Sequence, residues 1–425
     1  MTSLLNAPIP TSTSPARALR CRDCGAEFPL IAVHACAECF GPLEVGYDEA
    51  ALAAVTREQI EAGPQNIWRY APLLPVGQDP EDRVTLNPGL TPLIRADRLA
   101  AAVGLNAPLW VKDDSANPTH SFKDRVVSLA LTAAKGLGYN SVACASTGNL
   151  ANSVAAHAAR VGWQATVFIP SDLEPSKILA SAVYGPRLVA VEGSYDDVNR
   201  LTSELQEDDA FSSTAFVNQN VRPYYAEGSK TLGYEVAEQL GWRLPAQIVV
   251  PIASGSLLTK VDKAFGELVK GGLVPESPWR VFGAQSAGCS PVYNAYVEGQ
   301  DVVRPVKPTG IAKSLNIGNP ADGPYVLDAV RRTGGAIDAV SDDEIRDGIR
   351  LLAETTGIFG ETAGGVTVAV LRKLLAAGKL DPNAETVIFN TGEGLKTADA
   401  VEDQVGPTHR IAPSLRGARE AGLLG

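Results

Sequence analysis

The chain alternates between two kinds of apolar pattern. Short, mostly apolar, strand-like runs occur at Leu109 to Lys112, Val142 to Ala145, Ala165 to Ile169, Leu188 to Val191, Ile248 to Pro251, Val281 to Ala284 and Thr386 to Asn390. Longer stretches with apolar positions at helical spacing separate most of them. A strand covered on both faces needs a continuous apolar run, and strand-helix alternation predicts an α/β fold with parallel sheets flanked by helices. Ser341-Asp342-Asp343-Glu344 is a capping box that predicts a helix start. Residues 49 to 80 read as helical and then irregular, punctuated by Pro64, Pro72, Pro75 and Pro80. Pro88 to Leu93 reads as a turn that delivers the chain to a helix over Arg98 to Val103.

Length and charge narrow the class. A chain of 425 residues, 45% of them hydrophobic, is too long for one simple core and predicts two main domains. Its net charge of -11 repels phosphate backbones and anionic lipid, which argues against general nucleic-acid or membrane-surface binding. No apolar run reaches the ~18 residues of a membrane span, and the amino end has no charged segment leading into an apolar core. We therefore expect a cytoplasmic protein.

Residues 1–18, rich in Ser, Thr, Pro and Ala, read as a disordered tail. A ribbon over 19–48 follows, with Cys21-x-x-Cys24 and, eleven residues later, Cys36-x-x-Cys39. Two such pairs form the tetrahedral thiolate shell that zinc prefers; two disulfides or four free thiols are the alternatives, and the missing export signal disfavours the disulfides. Four sulfur ligands leave no open position, so Cys21, Cys24, Cys36 and Cys39 predict a structural rather than catalytic metal. His34 reads as a surface residue, and the segment is not basic enough for nucleic acid.

The candidate chemistry centres on Ser121-Phe122-Lys123-Asp124-Arg125, where a lysine stands between an aromatic residue and an acid-base pair. Ser146-Thr147-Gly148-Asn149 joins an apolar run to an Ala-rich helical run, so its amides can form an anion site beside the lysine. Three further strand-end loops qualify as ligand sites: Ala253 to Leu257, Ala284 to Ser286 and Asn390 to Gly394. The first of these opens a helix and can hold a phosphate. Asn390 to Gly394 lacks the third glycine of a dinucleotide fingerprint, and no P-loop pattern occurs. Cys144 and Cys289 sit in apolar settings and read as core.

Taken together, Ser121 to Arg125, Ser146 to Asn149, Ser254 to Leu257, Lys313 to Pro320 and Thr391 to Lys396 resemble the motifs of the threonine synthases, within the pyridoxal-phosphate fold type II group. The cysteine ribbon followed by Phe40 to Val45 is similar to the zinc-bearing branch. The resemblance implies two open, mostly parallel sheets, as in the tryptophan synthase β fold. It implies a large domain of 49–111 plus 217–425 and a small mobile domain of 112–216. It also implies a homodimer that uses pyridoxal 5'-phosphate together with structural zinc.

On that resemblance Lys123 is the covalent anchor of the cofactor and the base that moves substrate protons, which a lysine can do only if burial lowers its pKa. Asn149 meets the pyridine oxygen, Thr391 faces the ring nitrogen, and Ser254, Gly255, Ser256 and Leu257 hold the cofactor phosphate. Ser146, Thr147 and Gly148 take the substrate carboxylate. The substrate, O-phospho-L-homoserine, carries a second phosphate, assigned to Lys177 and Arg222 with Asn220 and Ser229 as weaker partners. Many family members carry an arginine where Tyr225 stands here. Gly360 to Gly364 and Glu393 also depart from more widespread patterns. An enzyme of the same scaffold acting on O-phosphoserine, as in cysteate synthase, or a threonine dehydratase is the alternative. A silent cofactor-binding paralogue and a zinc-ribbon interaction protein are further readings.

Overall fold

The computed structural model describes residues 14–146, 148–173, 175–193 and 195–423. The chain opens with a three-stranded antiparallel ribbon, β1 (Ala16–Cys21), β2 (Glu27–Phe28) and β3 (Leu43–Tyr47), in the order β2-β1-β3. Strand β1 starts inside the tail expected through residue 18, a correction. Ala16, Ala18 and Leu19 are buried, so pairing with β3 orders a segment whose composition alone reads as disordered. Residues 1–13 of that expected tail lie outside the described residues.

Beyond the ribbon come β4 (Leu93–Arg95) and β5 (Leu109–Asp113). Four strands then form one parallel sheet: β6 (Ser141–Ala145), β7 (Gln164–Pro170), β8 (Arg187–Val191) and β9 (Thr214–Phe216), in the order β8-β7-β6-β9. The remaining strands, β10 (Gln247–Pro251), β11 (Arg280–Ser286), β12 (Ile337–Val340) and β13 (Thr386–Asn390), join β4 and β5 in a six-stranded sheet, β12-β11-β10-β13-β5-β4. Only β4 runs antiparallel there, at the edge. Every residue of β10 and β13 is buried, as both-face coverage of a parallel sheet requires.

Helix Thr362–Ala376 packs across the large sheet, and its partner Asp342–Thr356 begins at the expected capping box. There Ser341 Oγ accepts from the Glu344 amide at 3.3 Å, while the Ser341 amide donates to Glu344 Oε2 at 2.7 Å. One core unites helices Lys123–Gly136, Lys230–Gln239 and Ser256–Lys270 with the ribbon residues Leu19, Leu43 and Val45. The ribbon is thus packed into the body rather than tethered to it. No described helix is long and apolar enough to cross a membrane.

Candidate active site

Parallel strands deliver their loops to one end of the sheet, and here two sheets do so into a shared cavity of about 190 Å³. Lys123 enters its wall after β5, Ser146 and Asn149 after β6, Ser254 to Leu257 after β10, and Thr391 after β13. The fourth expected loop, Ala284 to Ser286, stays within β11 and does not line the cavity, because strand pairing with β12 continues through Ser286.

Lys123 is the first residue of its helix, and its Nζ donates to Tyr225 Oη at 2.8 Å. The Phe122 ring centroid lies 4.6 Å from that nitrogen. Burial lowers Lys123 to about 8, working against Glu361, whose charge pulls it upward. The two charged neighbours in sequence turn away into the core. Asp124 accepts from the Thr119 amide, Thr119 Oγ1 and Ser153 Oγ at 2.6 to 2.7 Å. Arg125 is fully buried and paired with Asp114 (2.6 Å) and with Glu235, which Lys112 also reaches at 2.6 Å. These groups fix the backbone that presents the lysine.

The loop after β6 is self-capped: Ser146 Oγ accepts from the Gly148 and Ala151 amides at 3.0 and 2.8 Å. Gly148 has φ +130°, and a methyl there would stand 2.4 Å from Lys177 Cδ, so glycine is required. Thr147 lies outside the described residues. Asn149 Nδ2 donates to both oxygens of buried Glu361 at 3.1 and 2.9 Å, while its Oδ1 accepts from Lys396 Nζ at 3.1 Å. Lys396 also reaches Asn152 at 3.0 Å, and burial lowers its pKa. Glu361 is a cavity residue the sequence reading did not assign, and Lys396 stands directly behind Asn149. Only their place 212 and 247 residues further along the chain from Asn149 hid them.

At the second loop, Gly255 has φ +94° and caps the 15-residue helix Ser256–Lys270. A methyl on Gly255 would meet Val326 at 2.7 Å. Backbone amides at the start of a long helix suit a phosphate group. Asn218, Ser314, Ile317 and Asn319 also line the cavity, and Ser314 Oγ and Asn218 Oδ1 are buried without hydrogen-bond partners. A lysine able to be neutral, an anion loop and unpartnered polar atoms around one cavity fit pyridoxal phosphate.

Of the residues expected to meet a second phosphate, Arg222 and Ser229 line the cavity. Arg222 Nη2 is also 2.7 Å from Asp322 Oδ2. Lys177 is fully buried but is not a lining residue. Asn220 is likewise off the wall, because its amide is committed to the Phe216 N–H (2.9 Å) and to Tyr139 Oη (3.3 Å). In the ribbon, the four cysteine sulfurs lie within 4.8 Å of one another, with Cys21 to Cys39 at 3.5 Å and Cys24 to Cys36 at 3.7 Å. These are not disulfide distances. They approach the ~3.8 Å sulfur-sulfur edge of a tetrahedron with ~2.3 Å metal bonds. His34 stays outside this cluster and is half-buried rather than on the surface; burial and the Arg222 charge hold it below the usual imidazole range. Cys144 and Cys289 are buried, and desolvation raises both thiols, the latter to about 11.

A family model for pyridoxal-phosphate dependent enzymes matches residues 84–392. The chain belongs to that family of enzymes. Within it the chain falls among the threonine synthases. It is 36% identical to the threonine synthase of Methanocaldococcus jannaschii over 90% of this chain and 93% of the relative, and 34% identical to that of Methanosarcina acetivorans over 95% and 98%. Maize serine racemase (TM-score 0.58, 22% identity, 72% of this chain and 90% of that one) shares the fold. So does a serine ammonia-lyase from Rhizomucor miehei (TM-score 0.61, 21% identity, 74% and 98%).

Proposed function

We propose that the cavity binds pyridoxal 5'-phosphate and O-phospho-L-homoserine together and converts the second, with water, into L-threonine and phosphate. The observation that carries the residue assignment is the position of Lys123, an amine lowered to about 8 on the cavity wall beside Asn149, Thr391 and the Ser254 to Leu257 loop. The cofactor, when bound, supplies an electron sink for the substrate's α carbon. Lys123 takes the α proton and gives it up within the closed site, then as a free amine again takes a β proton; phosphate leaves the γ carbon with the bonding electron pair, and Lys123 returns the β proton at γ. Water then adds its hydroxyl at β while its remaining proton ends on the released phosphate, and Lys123 restores the α proton.

Ser146, Thr147 and the Gly148 amide orient the substrate carboxylate. Asn149, itself held by Glu361 and Lys396, orients the pyridine oxygen, and Thr391 offers the ring nitrogen a neutral hydroxyl. Arg222 and Ser229 face the substrate phosphate from the cavity wall, with Lys177 behind Gly148. Residues 112–216 act as a mobile unit that closes on the large domain and excludes water from all positions but the β carbon. Zinc in the ribbon, a cytoplasmic setting and a homodimer complete the reading; the thiol spacing supports the first, and family resemblance supports the last.

Turnover in ¹⁸O-labelled water tests the bond-breaking pattern. The label is expected in the threonine hydroxyl and absent from the released phosphate. Label in phosphate would mean simple phosphate-ester hydrolysis and would reject the mechanism.

A further inference from the structure

Arg22 stands between two of the clustered cysteines, Cys21 and Cys24, yet its guanidinium leaves the ribbon. Its Nη1 lies 3.1 Å from Asp322 Oδ1, and the group stacks 3.5 Å over the Tyr325 ring. The Tyr325 hydroxyl donates back to Asp23 in the ribbon at 2.6 Å. The other oxygen of Asp322 accepts from the cavity residue Arg222 at 2.7 Å. All three charged side chains are shielded, with 16%, 7% and 20% exposure for Arg22, Asp322 and Arg222. Asp322 is also tied to the anion loop, since its amide donates to the Ser254 carbonyl at 2.9 Å. One carboxylate thus joins the ribbon, a cavity arginine and the phosphate loop.

Two guanidinium groups on one carboxylate leave one positive charge over. Arg222 paired with Asp322 alone would be a neutral couple, and a shielded neutral couple attracts a phosphate group weakly. We propose that Arg22 is a positioning residue for phosphate binding: by occupying half of Asp322 it leaves the Arg222 guanidinium a net charge to present to a phosphate group in the cavity. That group belongs to the substrate or to the cofactor; the substrate case rests on the function proposed above, and the charge balance does not.

The test compares cofactor-loaded wild type with Arg22→Ala, Arg22→Lys and the double variant Arg22→Ala/Asp322→Asn. Three readouts are taken: the Kd of inorganic phosphate followed by the cofactor's absorption, KM and kcat for O-phospho-L-homoserine, and cofactor retained after dialysis. Arg22→Ala is expected to raise the phosphate Kd and KM about tenfold with kcat held, within the usual range of coupling between sites. Arg22→Lys keeps the charge and should stay near wild type. The double variant removes the carboxylate too, restores one uncompensated charge and should recover most of the loss. A loss confined to cofactor retention, and reversed in the double variant, assigns the charge to the cofactor phosphate instead. Wild-type values for Arg22→Ala in all three readouts, or a loss the double variant fails to reverse, would overturn the proposal, since a merely bracing arginine is not rescued by Asp322→Asn. A wild type that binds inorganic phosphate but makes no threonine sinks the proposed function while leaving the charge comparison readable.

Discussion

Lys123 is made reactive by where its neighbours send their charges. Asp124 and Arg125 follow Lys123 in the sequence as an acid-base pair, but both point into the core, so the carboxylate that favours the protonated lysine is Glu361, far along the chain. Its pKa of about 8 has a direct consequence in the cofactor-free protein. Only the neutral amine attacks an aldehyde, and a lowered pKa means that the neutral fraction rises through pH 8 rather than through the ordinary lysine range. The rate of cofactor capture, followed by visible absorption, should therefore climb with pH and level off above about 8; a rate still climbing steeply at pH 10 would contradict the burial argument. Arg125 belongs to a buried group with Lys112, Asp114 and Glu235. Replacing it with Met strands a carboxylate and should cost ~3–5 kcal/mol in urea unfolding. The motif around Lys123 was legible because its residues are contiguous. Glu361 and Lys396 were not, because only the fold brings them to Asn149.

At the scale of elements, the site is made by loops that follow strands and start helices. The seven apolar runs announced their strands, most clearly β10 and β13, where burial of every residue leaves no alternation to blur; the run in β8 was legible although that edge strand is only partly covered. The strands missed are short or broken by polar residues: β9 has three residues, β4 is a half-exposed edge, and β12 carries Asp338. The β1 start escaped because Ala16 and Ala18 gain their burial from β3, which composition cannot report. Gly255 shows how tightly a loop is specified. Its positive φ and the 2.7 Å approach of Val326 leave no room for a side chain. Gly255→Ala should tilt the first amides of helix Ser256–Lys270 and weaken cofactor retention by roughly tenfold or more, read by dialysis against phosphate buffer. Retention equal to wild type would remove this loop from the cofactor site.

At the scale of the whole molecule, the ribbon is a structural partner of the catalytic body. Its strand residues share the main core, Glu44 meets Lys260 at 2.9 Å, and Tyr47 donates to Glu227 at 2.6 Å. Spacing alone revealed the four-cysteine cluster, but not what the ribbon leans on. Metal analysis should find one zinc per chain, and Cys36→Ser should lose it together with several degrees of Tm; a protein that stays metal-free with unchanged Tm would refute the structural metal. The central claim is that Lys123 carries the conversion of O-phospho-L-homoserine. The most direct measurement incubates that compound with cofactor-loaded wild type and with Lys123→Ala, and quantifies threonine and inorganic phosphate together. The account predicts equal release of both by wild type and neither by the folded variant. Phosphate without threonine, or threonine made by Lys123→Ala at the wild-type rate, would contradict it.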